Sequence, residues 1–80
     1  MFIVYILQSE KNHRYYTGST EDLKNRIQEH YSGETKSIRN GIPWKIIHKE
    51  EFESRVEALK KEKQIKSRGA KRYLDDIMKS

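Results

Sequence analysis

Residues 2–8, FIVYILQ, form a near-continuous apolar run. Its β-branched and aromatic content marks a strand buried on both faces. Such a strand has to lie in the middle of a sheet, with a hydrogen-bonded neighbour on each side and an apolar layer above and below. The neighbours follow along the chain. Glu10 to His13 is polar and turn-like, so Arg14 to Thr17 reads as the returning strand, and WKIIHKEEF is the third. Gly18 then allows a backbone conformation or a close approach that a side chain would block.

The covering layers are helical. Ser19 and Asp22 have the spacing of a capping box, Leu23, Ile27 and Tyr31 share one helical face, and Gly33 is a natural stop. Residues 34–43 read as a loop ending in Gly41-Ile42-Pro43. Ser54 and Glu57 form a second capping box, opening a helix as far as Ser67, and Gly69 breaks it. A last helix over 70–78 sets Tyr73, Leu74, Ile77 and Met78 on one face. The order ββαβαα predicts an α+β fold: one domain over 1–80, with a small, three-stranded, mainly antiparallel sheet flanked by helices.

Eighty residues give a core with a thin margin of stability. With no cysteine, disulfides and thiolate zinc sites are excluded, which suits a reducing, cytoplasmic location. The opening FIVYIL is too short for a signal-peptide core or a membrane span. The net charge of +5 points to an acidic partner, nucleic acid first, with a merely solvated surface as the equal alternative.

A few residues break the packing pattern. Glu62 has Ala58, Leu59, Ile65 and Lys66 as its helical neighbours, so its carboxylate projects from the middle of the apolar stripe. An unpaired buried carboxylate is costly. Glu62 is therefore either paired with Lys66 or another basic residue, or it is a ligand for a cation such as Mg²⁺. Arg26 and His30 lie four apart on the flank of the first helix. They are either an amphipathic cover and a satisfied histidine, or a guanidinium for phosphate and an imidazole for a proton. His13 and His48 read as surface residues. Tyr5 and Tyr16, on paired strands, are packing residues by default, yet with Arg26, His30 and Glu62 they can all reach one end of the sheet beside Gly18.

Those residues carry a resemblance. Ile3-Val4-Tyr5 and Tyr16-Thr17-Gly18 resemble the two halves of the GIY-YIG motif, and LKNRIQEH, IPWKII and EALKKEKQIK follow in the family's order. The chain thus resembles the GIY-YIG nuclease superfamily, in particular its small single-domain bacterial UPF0213 group. It departs from the pattern at Ile3, where glycine is usual, and at Thr17, where isoleucine or valine is usual. Ser19 stands where some members carry a lysine.

The resemblance implies a metal-dependent endonuclease acting on DNA phosphodiester bonds, structure-specific in DNA repair or recombination. Glu62 would hold Mg²⁺ or Mn²⁺, Arg26 the phosphate, and Tyr5 the attacking water, with Tyr16 and His30 positioning it or sharing its proton. Gly18 and Tyr16 would form the floor of the site, with Tyr15 packed on the opposite sheet face. A free tyrosine has a pKa of about 10, and Arg26 and the metal are expected to favour its phenolate. Lys36, Arg39, Lys45, Lys60, Lys61, Lys63 and Lys66 would contact the DNA backbone. A chain this small is expected to lack a second module for specificity, which implies either weak affinity or a protein partner that supplies it. Two other readings stand beside it: a non-catalytic nucleic-acid-binding module, and an interaction domain exposing a Tyr73-Leu74-Ile77 patch.

Overall fold

The structure, a computed structural model, describes residues 1–31 and 42–78. The chain forms β1 (Phe2–Ser9), β2 (Tyr15–Thr20), α1 (Leu23–Tyr31), β3 (Trp44–Phe52), α2 (Arg55–Arg68) and α3 (Ala70–Met78). The strands make one antiparallel sheet in the order β2-β1-β3, so the apolar run is its central strand. This is the expected ββαβαα architecture.

Alternation along β1 divides the interior in two. Val4 and Ile6 face α2 and α3, packing with Ala58, Ile65 and Tyr73. Tyr5 and Leu7 face the other way, packing with Trp44, Tyr16, Leu23 and Ile27. A bulge between Ile6 and Leu7 changes the phase of β3. His48 and Glu50 lie across from Ile6 and Val4, whereas Ile46 and Trp44 lie across from Leu7 and Ser9. That one-residue slip puts Trp44 on the α1 side, beside Tyr16.

Several local expectations are corrected. β2 does not stop at Thr17: Gly18, Ser19 and Thr20 continue the ladder opposite Tyr5, Val4 and Ile3. Ser19 is therefore a strand residue, and Asp22 caps α1, its Oδ1 accepting the Asn25 N–H at 3.1 Å. The second cap is as expected, with Ser54 Oγ accepting the Glu57 N–H. Gly69 ends α2 at a φ of 95°, in the left-handed region that favours glycine. Leu59 is exposed rather than core. Tyr73 is buried under α3, so the proposed Tyr73-Leu74-Ile77 patch is broken at its first member. The stop at Gly33 and residues 34–41 lie outside the described residues. No helix among the described residues is long and apolar enough to cross a membrane.

On the α2–α3 side, Glu50 accepts hydrogen bonds from the Tyr73 hydroxyl and from His48 Nε2, the latter at 2.9 Å. His48 is thus half-buried in a network, not a free surface residue. The Lys61 ammonium lies 5.5 Å from the centre of the Tyr73 ring. Burial pushes the Glu50 carboxyl up, but the bonds from Tyr73 and His48 and the charge of Lys61 outweigh it and hold the pKa below its ordinary value. A carboxylate depressed in this way stabilises the fold above its unfolded pKa of 4.5 and loses that contribution as pH falls through the lower folded value. Tyr73→Phe is expected to cost about 1–2 kcal/mol at neutral pH. In urea unfolding at a series of pH values, that difference should shrink as the medium is acidified below 4.5.

Candidate active site

Tyr5 lies directly across the ladder from Gly18. A Cβ on Gly18 would stand 2.6 Å from Tyr5 Oη, 2.8 Å from its Cζ and 3.3 Å from Tyr16 Cε1. The glycine is therefore required by the close approach of a ring, which lies over the backbone of β2. Tyr16 shares that face and Tyr15 takes the other, where it is exposed rather than packed.

His30, the last-turn histidine of α1, completes an aromatic cluster. Its ring centre is 5.1 Å from that of Tyr16, edge-on, and 6.1 Å from that of Tyr5. Trp44 closes the cluster from β3, 6.4 Å from Tyr16. Tyr5 Oη and His30 Nε2 are hydrogen-bonded at 3.2 Å. The histidine is 1% exposed, and its Nδ1 has no partner among the described residues. Burial lowers the His30 pKa, the Arg26 charge lowers it further and Glu29 opposes them, so the imidazole is neutral at pH 7.

Tyr5 behaves contrary to expectation. Arg26 does favour its phenolate, but burial dominates and, with Tyr16, Glu62 and Glu29, drives the pKa far above that of a free phenol. Tyr5 is a phenol throughout the physiological range.

Arg26 precedes His30 by one turn. Its Nη1 is 3.4 Å from Glu29 Oε2, and its side chain is 43% exposed. It borders a cleft of about 350 Å³ that is also lined by Phe2, Ser19, Thr20, Leu59 and Arg55. Two guanidinium groups from different helices, Arg26 and Arg55, thus flank the end of the edge strand β2.

Glu62 stands on α2, which covers the sheet face opposite Tyr5. It reaches the edge strand from that side: Oε1 accepts the Ser19 hydroxyl at 2.6 Å, and Oε2 the Lys66 ammonium at 2.7 Å. Burial pushes its pKa up, but the bonds from Lys66 and Ser19 and the charge of Lys66 prevail and hold it below the ordinary carboxylate value. Its negative charge is felt by Tyr5.

The structure therefore brings Tyr5, Tyr16 and His30 into contact on one face, with Arg26 on the rim. Glu62 approaches around the β2 edge instead of through the shared core. Lys45, Lys60 and Lys63 are exposed. Lys61 is directed to the Tyr73 network, and Lys66 is engaged by Glu62. Lys36 and Arg39 lie outside the described residues. The sequence did not single out Arg55 or Trp44 as site residues. The spacing to Asp22 points to Ser19 as a helix cap, whereas its strand position, in register with Val4, is what turns its hydroxyl toward α2.

The GIY-YIG catalytic domain family matches residues 1–74. A UPF0213 protein of Halobacterium salinarum is 38% identical over 67 residues, covering 82% of this chain and 86% of the relative. One from Haloquadratum walsbyi is 40% identical over 65 residues, covering 80% and 72%. One from Listeria welshimeri is 41% identical over 63 residues, covering 78% and 69%. No solved structure matches the chain.

Proposed function

This chain belongs to the GIY-YIG catalytic-domain family of nucleases, and from that premise we propose that it is a divalent-metal-dependent endonuclease hydrolysing DNA phosphodiester bonds. The observation that carries the reading is the buried Tyr5–His30 pair, a phenol bonded to a neutral imidazole, with the Arg26 charge acting on both groups. Packing alone does not call for a buried histidine with one nitrogen lacking a partner among the described residues.

The pair dictates how a proton moves. Tyr5 cannot wait as a phenolate, so it can take a proton from the attacking water only while passing its own to His30 Nε2. That transfer requires the His30 tautomer protonated on Nδ1. Tyr16 packs against both rings and holds their spacing. Arg26 offers a planar set of donors to the non-bridging oxygens of the scissile phosphate, and the exposed Lys45, Lys60 and Lys63 suit contacts to the backbone without reading sequence.

Among the described residues no three His, Cys, Asp or Glu side chains gather to cage a metal. Glu62 offers one ionised carboxylate with a hydroxyl beside it. That donor set fits a hard cation that keeps most of its waters, Mg²⁺ or Mn²⁺, and does not fit a zinc or calcium cage. When bound there, the cation would supply charge stabilisation at the phosphate and the leaving oxygen.

Branched DNA of the kind met in repair and recombination is the first substrate class to test. Flaps, junctions, nicked and plain duplexes should be incubated with the protein in Mg²⁺ and in Mn²⁺ over a range of salt. Nicking that depends on the metal, together with binding that weakens as salt rises, is the expected result. Salt-sensitive binding without cleavage in either metal would return the scaffold to a non-catalytic nucleic-acid-binding role.

A further inference from the structure

Both oxygens of the Glu62 carboxylate are engaged, and the two partners differ in kind. Ser19 is fixed in β2, in register with Val4, and gives Oε1 a neutral hydroxyl at 2.6 Å. Lys66 stands one turn further along the same helix and gives Oε2 an ammonium at 2.7 Å. The carboxylate is only 17% exposed, whereas the Lys66 side chain is 56% exposed. The hydroxyl is therefore held by the sheet, and the ammonium is free to swing into water.

A divalent cation can share a carboxylate with a hydroxyl, whose dipole orients the group without competing for charge. It cannot comfortably share one with an ammonium, because two cations at one oxygen repel. Lys66 thus occupies, in charge and in place, the position a cation would take on Oε2. We propose that Ser19 and Lys66 set the cation affinity of Glu62 in opposite senses. Ser19 is a positioning residue that aims the carboxylate and stays bonded when the cation arrives. Lys66 is a built-in counter-ion that must leave Oε2 first. This inference rests on Glu62 being the cation ligand.

The test needs no turnover. Mn²⁺ binding to the full chain is followed by the loss of the free-ion paramagnetic resonance signal, with thermal unfolding to verify that each variant is folded. Lys66→Met keeps the aliphatic stem and removes the competitor, so it should tighten Mn²⁺ binding by about two- to fivefold. Ser19→Ala should weaken it by about tenfold, and Ser19→Thr, which retains a hydroxyl, should stay near the wild-type value. A merely structural role for either residue would not shift the affinity in these opposite directions. Unchanged or weaker binding by folded Lys66→Met overturns the inference. Wild-type affinity in Glu62→Gln instead overturns the assignment of Glu62 beneath it.

Discussion

Gly18→Ala is expected to abolish cleavage and to cost about 1–3 kcal/mol of stability, although it adds a single methyl group. The new Cβ would lie 2.6 Å from Tyr5 Oη, well inside van der Waals contact. The Tyr5 ring is buried and bounded by Tyr16 and His30, so it has no free rotamer to escape into. Relief requires the hydroxyl to move, and that breaks its 3.2 Å bond to His30. The strain and the lost proton path thus come from one contact. Urea unfolding and a nicking assay on the same preparation check both. Wild-type stability with wild-type rate would mean that Tyr5 has room the packing does not show.

Tyr5→Phe should separate chemistry from folding. The ring still fills its place, so stability should fall by about 1–3 kcal/mol, for a hydrogen bond lost at a buried nitrogen, and the protein stays folded. Cleavage should fall by about 10²- to 10⁴-fold, the usual worth of a positioned proton acceptor. The pH dependence adds a second readout. Because the His30 pKa is lowered from 6.5, the neutral, proton-accepting imidazole persists below that pH and is lost only as acid reaches the lower folded value. The wild-type rate should show that acid limb, and the residual rate of Tyr5→Phe should lack it. The same shift has a stability sign. Below 6.5 the unfolded chain binds more protons at this histidine than the folded one does, so acidification weakens the fold.

Much of the architecture was legible because β1 declares itself. A run apolar on both faces requires a central position, and the flanking strands and helices follow from alternation, caps and Gly69. The Ser54 cap and the span of β3 needed no revision. What escaped the sequence depends on pairing partners distant along the chain. Nothing local to Gly18-Ser19-Thr20 says that Tyr5, Val4 and Ile3 will extend the ladder and overrule a helix cap. A bulge is a single unpaired residue and leaves no periodic trace, so the turn of Trp44 toward Tyr16 was invisible. Glu62 stood out as a carboxylate in an apolar stripe, and its pairing with Lys66 was one of the two readings left open. Its route around the edge strand to Ser19 is a tertiary fact. The phenol state of Tyr5 is likewise set by burial, which outweighs the Arg26 charge that the sequence could place nearby.

The most direct measurement is Mg²⁺-dependent nicking of labelled DNA by the wild type, Glu62→Gln and Arg26→Ala, at matched protein concentration and with folding verified. A site assembled around the β2 edge, with Tyr5, His30 and Arg26 on one side and Glu62 on the other, predicts that each variant loses about 10²-fold or more in rate. Undiminished cleavage by both folded variants would contradict it.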